Sequence, residues 1–511
     1  MRKLKQIMAG MLAAVSLLSI TACDESAPAA GGATGGAAGG TSGAAPTTSA
    51  TVATTTPEKT TFADNEEVNK AVEEMDKTKL DNPDLEVTEK LKWMAWWDMD
   101  ETTAQAKLFT EVYGIPENGG TAEDQGKIFT NIYVGYAERY DKLAAAIVSG
   151  DSPDLFPFEI IDFPVGVLLG RYNPVDEIIN LDNGKWDGAK HMMDQFKLGG
   201  RYYAAFYDVE LNNIMYYRKS VIEDAGLKDP RTLFDNGEWT WDTFLEMARA
   251  FQLSGDGKYA VDGYNPDSDF AVTTGVPMVG NDGNQIINNL HDPAVERMQE
   301  NLLTVLNKEN LRYPLHELNN WNINPMEWSK GNILFYADGG TWVFQDTIKK
   351  YIDRFGWAED EVLCVPFPRD PQADAHYVQF KQNAQMWVKG STNEAGVAAW
   401  LDCCVTAAQD PEIKKAGRVQ LKENYGWTDY NLDMIDACIA LDGTSPVKAV
   451  FEFKTGLGQP VYIQGNAEDP VLCLTKFVYL TGEQTYTQLR DANETAIQAK
   501  IDEINTYIAN L

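Results

Sequence analysis

Aromatic rings and carboxylates recur where this chain reads as leaving a strand. Trp97 and Asp98 end the run LKWMAWWD, Glu159 follows DLFPF, and Asp208 lies in AAFYDVEL. Tyr264 closes KYAVDGY, Asp338, Gly340 and Trp342 fall in FYADGGTW, and Trp427 follows NYG. A flat ring offers an apolar face at low entropic cost, and a carboxylate accepts O–H donors. Together they make a surface for holding a polyhydroxylated solute such as a sugar. Cutting a glycosidic bond instead needs two carboxylates about 5–9.5 Å apart, and 76 acidic residues single out no such pair. Each candidate has a plainer alternative. Trp97 fits a core and Asp98 a helix cap, Glu159 fits a solvated loop, Trp342 fits helix-on-sheet packing, and Asp208 fits backbone satisfaction. Of the rings Trp97, Tyr207, Tyr264, Trp321, Trp342 and Trp427, about two or three are expected to touch ligand, the rest being core.

Other chemistries find little support. Asp256, Asp262, Asp267 and Asp269 crowd one stretch, but the closing glutamate of a calcium loop is missing. Four histidines disfavour a zinc, manganese or histidine acid–base site. Neither metal nor cofactor is expected, and no GxxxxGK[ST] run for coupling to a nucleotide is present. Apart from Cys23, the cysteines are Cys364, Cys403, Cys404, Cys438 and Cys473. Their count is odd and no CxxC occurs, so buried or free thiols are expected, with one disulfide left open.

The elements that must position these residues read as α/β. Leu91–Trp97 predicts a strand, with a helix capped near Thr102. A helix over 140–148, ended by Gly150, leads to a strand over 154–159. That order marks a parallel sheet, whose ligands meet the carboxyl ends of strands. Arg201–Tyr207 and Asn212–Tyr217 predict two further strands, then a helix over Ser220–Ala225. Thr240 offers an N-cap to a helix whose face is Trp241, Phe244, Leu245, Ala248 and Phe251. A strand that ends and restarts in new company marks passage between lobes, here leaving one near Tyr207 and entering the other near Asn212. Asp208 and Glu210 then lie near a cleft floor. Later come a strand over Tyr259–Tyr264, a helix over Asp292–Leu306, and a strand over Ile333–Tyr336 with Asp338-Gly339-Gly340 as its exit turn. Strands over Val362–Pro368 and within His376–Trp387 follow. Ser391 to Glu394 reads as a capping box for a helix with Val397, Trp400, Leu401, Cys404, Val405 and Ala408 on one face. Ile497, Ile501, Ile504, Ile508 and Leu511 form the stripe of a final helix.

The 511 residues exceed one core, so two domains plus accessories are expected. A formal charge of −33 excludes a phosphate-backbone binder, so no nucleic-acid partner is expected. Arg2, Lys3 and Lys5 precede an apolar run over Ile7–Ile20, too short for a membrane span. Leu18-Ser19-Ile20-Thr21-Ala22-Cys23 resembles a bacterial lipobox, which implies a lipidated (palmitate-carrying) Cys23 as mature N-terminus and membrane contact through that anchor alone. Residues 1–22 are then the signal peptide. Residues 23–65, rich in Ala, Gly and Thr, form a flexible linker, in which the stretch from Asp24 to about Thr61 reaches roughly 30–35 Å. Residues 66–88 are a charged lead-in.

Several segments in order resemble the extracellular solute-binding proteins (family 1, carbohydrate type) of bacterial ABC importers, the maltose-binding-protein group. They are the lipobox, LKWMAWW, SGDSPDLF, RYYAAFYDVELNNIMYYRKSVIEDAGL, WTWDTF, WSKGNILFYADGGTW, VPFPRD, AQMWVKGSTNEAG and AIQAKIDEIN. The chain departs from the family at Phe206, near which the family often has Pro, and in its extra length before residue 90 and around Asn319–Met326. The resemblance implies an α/β fold of two doubly wound lobes joined by crossing strands, with a central ligand cleft, as in type II periplasmic binding proteins. Lobe one would take 89–207 plus about 378–415, and lobe two 208–377 plus about 416–511. It implies a monomeric, extracytoplasmic receptor that is not an enzyme and delivers a carbohydrate to permease subunits. The alternatives are a surface-anchored glycoside hydrolase and a sugar-binding surface lipoprotein without transport.

Overall fold

The computed structural model describes residues 66–263, 266–314, 325–339, 344, 348, 349–439, 445–453, 461–463, 466–468, 474–475 and 477–511. The expectations for Cys23, the signal peptide, the linker, Tyr264, Trp321, Gly340, Trp342 and Cys473 lie outside the described residues.

Two sheets carry the chain. The first holds β1 (Leu91–Ala95), β2 (Phe129–Tyr133), β3 (Leu155–Pro157), β4 (Ala204–Leu211) and β9 (Phe380–Trp387), in the order β2-β1-β3-β9-β4. β1, β2 and β3 are parallel, and β9 runs against both β3 and β4. The second holds β5 (Asn213–Arg218), β6 (Tyr259–Gly263), β7 (Ile333–Gly339) and β8 (Val362–Val365), in the order β8-β5-β7-β6. There β6 is parallel to β7, and β5 opposes β7 and β8. Helices between parallel strands must cover sheet faces, so both sheets are buried. In the first, Trp400 of helix α5 (Glu394–Gln409) meets Phe129 edge-on at 4.8 Å. In the second, Phe335 lies 5.5 Å from Trp239 and 5.7 Å from Phe244, which sits on helix α4 (Trp241–Leu253).

The chain changes sheet at Asn212, the single residue between β4 and β5. It returns through Gln379, between the strand His376–Val378 and β9. Val447–Ala449 pairs in parallel with His376–Val378. Beyond it, Glu452 accepts the amide N–H groups of Met278 and Val279 at 2.7 and 2.9 Å. This is the two-lobed α/β architecture with crossing strands.

The lead-in is not loose. Its helix α1 (Glu66–Glu74) is followed by a turn whose Asp81 pairs with Lys185 (2.9 Å), which also pairs with Asp402, while the Asp81 amide donates to Asp402 at 2.7 Å.

Several local expectations need correction. β7 extends to Gly339, because Asp338 and Gly339 pair with Ile214 and Asn213; Asp338 is a strand residue, not a turn residue. The cap of α5 is Asn393, whose side chain accepts the Gly396 N–H, while Ser391 donates to the buried Asp154 at 2.6 Å. The helix expected over Asp292–Leu306 is interrupted by a π-helical turn at Gln299–Leu303. The last helix spans Tyr486–Ile508 and buries Ile497, Ile501, Ile504 and Ile508, but Leu511 lies beyond it, 58% exposed.

Candidate ligand-binding site

Strand direction locates the edge where a ligand would meet both sheets. β1, β2, β3 and β4 run the same way, so Ala95, Tyr133, Pro157 and Leu211 end at one edge of the first sheet. In the second sheet, the ends of β6 and β7 share an edge with Asn213, where β5 begins. Asn212 joins the two edges. Loops at carboxyl ends of parallel strands are where open α/β sheets hold ligands.

On the first sheet this edge is aromatic. Trp97, just beyond β1, is 42% exposed and lies edge-on to Trp96 at 4.4 Å and to Trp93 at 5.6 Å. The buried Trp93 indole N–H donates to the Trp97 carbonyl at 3.1 Å, which pins the loop. Asp98 follows, half-buried. The Asp100 carboxylate accepts the N–H and hydroxyl of Thr102, both at 2.8 Å, and closes the turn before helix α2 (Ala104–Tyr113). Beyond β2, Tyr136 is 55% exposed and lies edge-on to Trp96 at 5.0 Å. These offset and edge contacts are favourable geometries for aromatic pairs, and they fix the rings while leaving faces in solvent.

Beneath the rings lies a buried ion pair. Arg139, which starts helix α3 (Arg139–Ser149), donates through Nε and Nη2 to the Glu159 carboxylate at 2.7 and 3.1 Å. The Tyr140 hydroxyl donates to the same carboxylate at 2.5 Å. Burial, the largest single effect, works against the Arg139 charge, but the hydrogen bond to Glu159 and the charge interactions with Tyr140, Glu159 and Tyr136 together outweigh it, and the guanidinium is held protonated more firmly than usual. Burial, with Asp162 and Glu159 nearby, pushes the Tyr140 hydroxyl well up. Glu159 therefore sits at its expected strand exit with three donors already in place.

The remaining candidates are placed differently. Asp208 pairs with Asn383 next to a bulge, where the ladder passes from Asn383↔Asp208 to Ala384↔Phe206 and leaves Tyr207 unmatched. Burial raises its carboxyl to about 6, with the Glu210 charge adding to the rise; the Val209 amide, Lys414 and Asn383 oppose it. Asp338 is buried and accepts the Tyr336 hydroxyl at 2.6 Å. Trp427 is only 2% exposed and stacks on Phe344, with ring centroids 4.1 Å apart. Trp97, Asp98 and Glu159 thus share one edge of the first sheet, whereas Asp208 lies in the first crossing strand and Asp338 and Trp427 inside packed surfaces.

Sequence reasoning missed Trp96, Tyr136, Arg139 and Tyr140. The signal was FTNIYVGY, a strand followed by glycine. Read as a strand exit, it places Tyr136 at the same edge as Trp96, the ring it meets.

Comparison with known proteins follows this geometry. The profile described as Bacterial extracellular solute-binding protein matches residues 129–411. No curated protein matches the chain by sequence. Among solved structures, a cyclo/maltodextrin-binding protein complexed with maltotetraose is similar at TM-score 0.53 and 16% identity, over 81% of this chain and 97% of that one. The galacto-N-biose/lacto-N-biose I-binding protein of the Bifidobacterium longum ABC transporter reaches TM-score 0.55 at 13% identity, over 82% and 98%. The cyclic α-maltosyl-1,6-maltose binding protein of Arthrobacter globiformis reaches 0.54 at 14%, over 81% and 99%.

Proposed function

With more than half of its length matched, the chain belongs to the bacterial extracellular solute-binding protein family, and we propose that it is a receptor that binds an oligosaccharide between its two lobes and delivers it to the permease subunits of an ABC importer. The observation that carries this reading is the exposed pair Trp97 and Tyr136, held around Trp96 at the edge where the chain crosses between sheets. Sugar C–H faces stack on such rings, and the half-buried Asp98 beside them accepts hydroxyls. Three similar structures, named above, are described as binding maltotetraose, lacto-N-biose or cyclic maltosyl-maltose. Lobe closure by a hinge at Asn212 and Gln379 would bury the bound sugar.

Titrating the full chain with maltotetraose and lacto-N-biose in a calorimeter, with product analysis of the same samples, tests this. Stoichiometric binding without cleavage is expected. Release of shorter sugars would replace the receptor by a glycoside hydrolase. Binding without loss of uptake on gene deletion would leave a surface lipoprotein with no transport role. Lipid anchoring at Cys23 belongs to the same proposal, and Cys23→Ala is expected to release the protein from the membrane fraction into the medium.

A further inference from the structure

Two guanidinium groups lie behind the aromatic edge, and both are spent on carboxylates. Arg171 donates to Asp162, and its guanidinium carbon lies 5.2 Å from the Tyr140 ring centre. Arg139 is used on every side. Its edges serve Glu159, the Tyr140 hydroxyl (3.2 Å) and the Tyr136 carbonyl. Its guanidinium carbon lies 3.7 Å from the Tyr136 ring centre, 4.2 Å from that of Tyr140 and 5.2 Å from that of Trp96. The side chains of Arg139 and Glu159 are 6% and 16% exposed, so the pair is screened little by solvent.

Two consequences follow. The exposed Tyr136 ring rests on a cation that also grips its own backbone carbonyl, and Trp96 leans on Tyr136. A bidentate fork with a stacked face is a geometry only arginine supplies. Four of the five guanidinium N–H groups are already donated, and Glu159 cancels the charge. The exit of β1 also carries the half-buried carboxylates of Asp98 and Asp100, which accept hydroxyls and repel acids.

We propose that Arg139 is a positioning residue that sets Tyr136 and Trp96 as the stacking plate, and that its bidentate pairing with Glu159 makes this wall select uncharged saccharides over acidic ones. The inference rests on the reading of this edge as a saccharide site.

The test uses the full chain and two variants, Arg139→Gln and Glu159→Gln. The probes are neutral trisaccharides (maltotriose, cellotriose, β-1,4-galactotriose) and trigalacturonic acid, with unliganded crystal structures of each variant. Arg139→Gln is expected to shift the Tyr136 ring by more than about 1 Å and to weaken neutral-sugar binding by about ten-fold or more. Glu159→Gln frees the guanidinium, and the ratio of acidic to neutral affinity is expected to rise by about ten-fold or more. Should Arg139→Gln not fold with Glu159 left unpaired, the double variant Arg139→Gln/Glu159→Gln carries no stranded charge and gives the same ring readout. Unmoved Tyr136 and Trp96 rings, or an unchanged affinity ratio in Glu159→Gln, would overturn the inference. A wild-type chain that binds none of the probes would instead remove the saccharide reading. The ring positions, and any gain for trigalacturonic acid in Glu159→Gln, would still decide this inference.

Discussion

The amide N–H of Asn212 donates to the carbonyl oxygen of Gln379 at 3.1 Å, tying the two crossing strands together at the residues where they change company. In the proposed hinge closure, two strands bonded at that point would bend together. Asn212→Pro removes this donor and fixes φ. A loss of about 1–3 kcal/mol of stability in urea unfolding is expected. Asn212→Gly keeps the donor and is expected to cost less. Equal losses in both variants would show that the bond contributes nothing.

Trp97 and Trp427 separate binding from packing. Trp97 is 42% exposed, so Trp97→Ala is expected to change stability by less than about 1 kcal/mol while weakening sugar binding by about 10–100-fold. Trp427 is 2% exposed and stacked on Phe344, so Trp427→Ala is expected to cost about 3–5 kcal/mol of stability. Paired thermal melts and calorimetric titrations read both. A Trp97→Ala chain with intact affinity would take Trp97 out of the site.

The two lobes and the first crossing were legible because strand runs, glycine stops and capping residues are local signals. The crossing is predicted to leave one lobe near Tyr207 and to enter the other near Asn212, whereas β4 runs on in the first sheet to Leu211 and β5 begins at Asn213. The fate of each ring was not legible, because burial is decided by neighbours distant in sequence. Trp97 and Trp427 look alike as residues beside predicted turns, yet one faces solvent and the other is closed by Phe344. Glu159 was legible as a strand-exit carboxylate, but its partner Arg139 was not, since nothing local joins residues 20 apart. The bulge at Tyr207 also escaped, because it depends on the register of β9.

Cys364, Cys403, Cys404 and Cys438 are free and buried, and burial pushes every thiol up, Cys438 to about 12. The thiolate is the reactive form. At pH 7.5 these four are expected to resist alkylation in the folded protein and to be labelled only at the rate of unfolding. Iodoacetamide labelling with peptide mass mapping, with and without urea, checks each one. Prompt native labelling of Cys403 or Cys404 would mean that α5 opens readily from the first sheet.

Asp208 and His376 impose opposite pH dependences on folding. Asp208 has its carboxyl raised from 3.8 to about 6, chiefly by burial. Protonation therefore favours the fold; its contribution is complete below about pH 4 and is lost as pH rises through about 6. His376 is pushed down from 6.5 to about 4, chiefly by burial, with the Phe367 carbonyl opposing and Arg369 adding. Its contribution is present above about pH 6.5 and is lost as pH falls toward 4. The two nearly offset each other in the wild-type chain across that window, so single variants should expose them. Asp208→Asn is expected to be more stable than wild type by about 1–3 kcal/mol at pH 7.5, the difference closing toward pH 4. His376→Gln is expected to gain about 2–3 kcal/mol relative to wild type between pH 7 and pH 4. Urea unfolding at half-unit pH steps measures both. If the Asp208→Asn difference grows as pH falls, the Asp208 carboxylate is stabilised by its partners rather than strained by burial, and the assignment is wrong.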